Sequence, residues 1–128
     1  MKEIKRRIHI PIYGGWIVVV ITDAEDITET GKRHFNCEDD LKNYGAVVLK
    51  RDTTTRSRTY PIIFSASENN IPGMTPGIIA HESFHLINRL YKEIGIFHDR
   101  SDDEATCYLL SWIVNRITET KTRFDKLK

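Results

Sequence analysis

Ile8, Ile10 and Ile12 alternate with Arg7, His9 and Pro11, and this period of two predicts a half-buried strand from Ile4 to Tyr13. Pro11 has no N–H to give to a ladder, which puts that end of the strand at a sheet edge. Gly14-Gly15 predicts a two-residue hairpin turn. The β-branched run from Trp16 to Thr22 suits a strand covered on both faces. Residues 46–51 and the stretch from Ser57 to Ala66 read as an antiparallel pair around a turn at 52–56. Pro61 makes the second of the two an edge strand. Between these pairs, Ile27 to Gly31 reads as a short strand or a loop. Cys37 to Tyr44 reads as a short helix stopped by Gly45.

The period then changes. Thr75-Pro76 is an N-cap and first-turn pair, and Gly95 is a stop, so the spacing predicts a helix between them. At 100° per residue Ile79, Ser83, Leu86, Ile87, Leu90 and Ile94 share one mostly apolar arc. A second helix runs from Asp102 to about Thr120, with Ala105, Leu109, Trp112, Ile113 and Ile117 on its apolar side. Glu104, Tyr108, Ser111 and Asn115 form a polar stripe at helical spacing on the same helix, placed to face the first. Strands followed by helices predict an α+β fold: a small antiparallel-rich sheet of about four strands, with the two C-terminal helices on one face.

Composition narrows the class. The chain has 128 residues, the size of one domain, with 40% hydrophobic and 29% charged residues, as in an ordinary globular protein. A net charge of +1 implies no general attraction to nucleic acid or to an acidic membrane. Cys37 and Cys107 form no CxxC pair and no disulfide framework. The N-terminus is too charged for a signal peptide, and the apolar run beginning at Trp16 is too short to span a bilayer. These features point to a cytoplasmic protein.

The chemistry is concentrated in His81-Glu82-Ser83-Phe84-His85, an HExxH pattern. Residues four apart are neighbours on one helix face, about 5–6 Å between Cβ atoms, so both imidazoles can reach one metal ion. The histidines lie opposite the apolar arc, which argues against an ordinary core role. A catalytic zinc takes three protein ligands and one open position. Asn88 and Tyr91 stand where the metzincin pattern needs glycine and histidine, so that pattern fails. Glu104, on the next helix, is a candidate third ligand. It also completes a capping box with Ser101, in which it would bond back to the Ser101 N–H. Asp102 and Asp103 are rival ligands, better suited to stabilising the helix N-terminus.

With HExxH on one helix and a glutamate on the next, eighteen residues lying between His85 and Glu104, the chain resembles a small gluzincin, a zincin-like zinc metallopeptidase. It is similar in compactness to bacterial and phage zincin domains. The likeness covers about residues 75–115. It implies Zn2+ held by His81, His85 and Glu104, with Glu82 as the general base of peptide hydrolysis. No segment binding a substrate amino terminus accompanies it, so aminopeptidase specificity is not carried over. Tyr108 and His98 are candidates for oxyanion stabilisation or for orienting a ligand histidine. The strand between Ser57 and Ala66, as an exposed edge, is placed to pair with an extended peptide substrate. Two other readings are a zincin-like module that works by protein contact alone, and a structural domain whose histidines bind nothing.

Overall fold

The computed structural model describes residues 1–50, 57–71 and 73–127. Strands β1 (Glu3–His9), β2 (Trp16–Thr22), β3 (Ala46–Val48) and β4 (Thr59–Ser65) form one sheet in the order β1-β2-β4-β3. β1 pairs antiparallel with β2, β2 parallel with β4, and β3 antiparallel with β4. Helices α1 (Thr28–Phe35), α2 (Pro76–Ile94) and α3 (Glu104–Asp125) complete an α+β fold. The turn expected at 52–56 lies outside the described residues.

The Trp16–Thr22 run is buried because both faces of the sheet are covered. Ile17, Val19 and Ile21 join Phe64, Leu86, Leu90 and Ile113 in the main core, between the sheet and α2 and α3. Val20 and Ile63 point the other way, into a smaller core with Ile27, Leu41 and Leu49 beneath α1. α2 packs across β3 and β4, and α3 across β1 and β2.

Four expectations need correction. β4 is not an edge strand: β2 pairs along one side of it and β3 along the other. Pro61 is tolerated because β3 stops short. The Pro61 carbonyl accepts from the Leu49 N–H, at 3.0 Å, on the β3 side. A residue's N and C=O point to the same side of a strand, so the missing donor faces the end of β3, just past Val48. The sheet edge on this side is therefore β3.

The hairpin between β1 and β2 is longer than two residues. The ladder ends at His9 and Trp16, and six residues connect them. Ile10 donates to the Gly15 carbonyl at 3.0 Å and Gly14 to the Ile10 carbonyl at 3.2 Å. Gly14 and Gly15 take φ of 73° and 84°, which side chains disfavour.

The third correction exchanges helix and loop between β2 and β3. Residues 28–35 are the helix, and 37–44 are a connection without helix, with a turn at 42–43. Gly31 hid the helix, since glycine costs about 1 kcal/mol against alanine there. It fits the packing: a Cβ at Gly31 would stand 2.9 Å from Leu41 Cδ1, so the leucine tip would have to shift. Asn36 closes α1 in the left-handed region at φ 52°. α1 is anchored to β1 by Arg33, whose guanidinium nitrogens each lie 2.8 Å from a Glu3 carboxylate oxygen. That pairing, with His34 beside it, holds the Glu3 carboxyl at about 2.

Fourth, α3 starts at Glu104, two residues later than expected; at its other end the charged tail continues the helix to Asp125, as a tail of this kind can.

Candidate metal centre

α2 forms as its sequence dictates. The Thr75 hydroxyl accepts from the Ile78 N–H at 3.2 Å, Pro76 occupies the first turn, and Gly95 ends the helix at φ 79°. Ile79, Ser83, Leu86, Ile87 and Leu90 are buried against the sheet and α3. Ser83, the polar member of that arc, donates to the Ile79 carbonyl one turn back at 2.6 Å. This seating leaves His81 and His85 exposed on the outer face.

The two imidazoles face each other. Their Nε2 atoms are 3.2 Å apart and their rings meet edge to face. At this distance one ring can donate to the other. Two nitrogens bound at 2.0–2.1 Å to a tetrahedral zinc lie about 3.3 Å apart, so the pair also fits two corners of such a site.

Glu82 behaves differently from its neighbours. The sequence places it on the same outer face, yet it is only 9% exposed. The 43–46 segment and the loop around Asn70, Ile71 and Gly73 border a groove of about 310 Å³ that Glu82 and His81 line. Burial pushes the Glu82 carboxyl above its ordinary value, against the opposing pull of His85, His81 and Arg89. Its Oε1 is 3.9 Å from His81 Nε2. A desolvated carboxyl beside a donor pair is a better base than a solvated one.

Glu104 stands on the first turn of α3, exposed. The structure does not gather it with the histidines: among the described residues, no three His, Cys, Asp or Glu side chains form a metal-holding group. The capping box is not formed either. Asp103 is the N-cap, with no side-chain cap bond, and the Ser101 N–H goes to Asp99 Oδ1 at 2.9 Å. A hydrogen bond of 2.9 Å between the Tyr91 and Thr106 hydroxyls ties the start of α3 to α2, two residues beyond Glu104. The polar stripe of α3 faces solvent rather than α2. Tyr108 is 72% exposed, and Ser111 and Asn115 are exposed with it.

His98 is held beside α2. Its Nε2 is 2.6 Å from Asn88 Oδ1, and its ring stacks on Phe84 at 5.7 Å between centroids and tilts against Tyr91 at 5.1 Å. Asn88 is about one turn beyond His85, which places His98 along the flank of the pair opposite Glu82. Sequence reasoning missed the groove residues Tyr44, Gly45, Ala46 and Ile71: nothing local links the first three to a helix about thirty residues away, and Ile71 lies in the connection before α2, where no period marks a face.

No family model matches the chain, and comparison with curated proteins and with solved structures gives no significant match. Among the described residues, no helix is long and apolar enough to cross a membrane.

Proposed function

We propose that this protein is a zinc-dependent peptidase. The observation that carries the reading is the pair of facing imidazoles, at the separation a tetrahedral ion requires, with a buried carboxyl one residue away. His81 and His85 would hold the ion, and Glu104, which this structure leaves apart from them on the first turn of α3, is proposed as third ligand from its place in the sequence. Bound zinc would supply an activated water and polarise the scissile carbonyl. Glu82 takes the proton of the attacking water and delivers it to the leaving amine. His98 contacts α2 through Asn88, Phe84 and Tyr91, whereas Tyr108 is 72% exposed, so His98 is the better candidate for positioning or for stabilising an oxyanion.

The substrate is read as an extended peptide on β3 rather than β4. Gly45 accepts from Ser65 N, and Leu49 donates to the Pro61 carbonyl, so these odd-numbered residues face β4. By alternation the backbone groups of Ala46 and Val48 point away from β4, towards an edge on which no further strand pairs among the described residues. Ala46 lines the same groove as His81 and Glu82. A peptide strand added to that edge would run past the carboxyl, with backbone bonds for affinity.

Incubation with a mixed peptide library and zinc is expected to yield new termini. The products should disappear with a chelator and return when zinc is restored. An unchanged library at every zinc concentration would remove the peptidase reading.

A further inference from the structure

Two grooves flank the His81–His85 pair, and they differ in charge. The first, about 310 Å³, includes Tyr44, Ala46, Ile71, Ile78, His81 and Glu82, with no lysine or arginine among its described lining residues. The second, about 720 Å³, includes Lys50, Tyr60, His85, Arg89, Lys92 and Glu93. Lys50, Arg89 and Lys92 are all exposed. Glu93 is the one carboxylate among the described lining residues, and it is already engaged by a partner. The two grooves follow one line. Going from Gly45 to Lys50 beside β3 accompanies going from Ile78 to Lys92 on α2, so an extended chain on the β3 edge passes from one groove to the other.

Building on the peptidase reading, we propose that the site selects a peptide with acidic side chains on one side of the histidine pair and apolar side chains on the other. The acidic residues lie over Lys50, Arg89 and Lys92. The apolar residues lie over Tyr44, Ile71 and Ile78, where Tyr44 is 50% and Ile71 90% exposed. Strand addition sets the backbone path, and these side chains set the choice among sequences. The attraction acts between solvent-exposed charges, so it weakens with salt.

The test is binding, followed by fluorescence anisotropy, on the Glu82→Gln protein. The probes are fluorescein-labelled ten-residue peptides: one with an acidic half and a leucine-valine half, and one with lysines replacing the acids. The acidic peptide is expected to bind about tenfold more tightly than the lysine peptide, the sum of three modest surface contacts. Its affinity should fall between 50 and 300 mM salt. In a Lys50→Glu, Arg89→Glu, Lys92→Glu variant the preference should invert. Because the three side chains are exposed, the variant is expected to keep its helical circular dichroism. The salt dependence tests the same point without it.

Equal affinity for both peptides, a salt-independent affinity, or no binding of either would overturn the proposal. Cleavage of the same peptides by the wild-type chain is scored separately. A charge preference without cleavage upholds the groove and removes the peptidase reading, and cleavage without a charge preference does the reverse.

Discussion

Glu82→Gln is expected to lower peptide hydrolysis by about 10²–10⁴-fold in kcat while leaving the fold intact. The amide keeps the size of the carboxyl and loses its basicity. Two features of the molecule make the result specific. Glu82 is buried, and burial already disfavours its charged form. The His81 Nε2 lies 3.9 Å from its Oε1, too far for a strong hydrogen bond. A neutral replacement therefore loses little attraction and relieves desolvation, so thermal stability should be unchanged or higher. Steady-state kinetics on a cleaved peptide, beside a melting curve, checks both halves. A fall in activity with a matching fall in melting temperature would make Glu82 structural instead.

Leu86→Ala is expected to destabilise the chain by about 2–5 kcal/mol. Leu86 is fully buried in the main core, on the face of α2 opposite the histidines. Removing it leaves a cavity between the sheet and the helix that carries the motif. Domains of this kind are held by about 5–15 kcal/mol in all, so the loss is a large share. Urea unfolding followed by circular dichroism should show a lower midpoint with an unchanged slope. A loss below about 1 kcal/mol would mean that α2 is seated on the sheet less tightly than the packing implies.

The parts of this fold that were legible are those with local causes. α2 announces itself through Thr75-Pro76, the arc from Ile79 to Leu90, and Gly95, and each of these occupies the role its chemistry suggests. β2 is legible because an uninterrupted β-branched run has few other uses. α1 was not legible, because Gly31 reads locally as a helix breaker, and its close approach to Leu41 is made only after folding. The position of β4 was misread for a similar reason. Pro61 does mark a missing ladder bond, but only opposite the short end of β3, while the parallel pairing with β2 leaves no local trace. In the site, the outward face of His81 and His85 followed from helical period alone. The burial of Glu82 did not, because its cover comes from residues 43–46 and from Asn70, Ile71 and Gly73. The solvent-facing direction of the Tyr108 stripe shows the limit of reading a helix without its neighbours: period defines two faces, and packing decides which one is covered.

The most direct test of the central claim is zinc stoichiometry by native mass spectrometry on untagged protein dialysed against metal-free buffer. The measurement is run beside His85→Ala and Glu104→Ala. The account predicts one zinc per chain, lost in His85→Ala and weakened in Glu104→Ala. No zinc in the wild-type chain after reconstitution would contradict it and leave the histidines as a hydrogen-bonded surface pair. Equal zinc uptake by all three proteins would place the metal somewhere other than between α2 and α3.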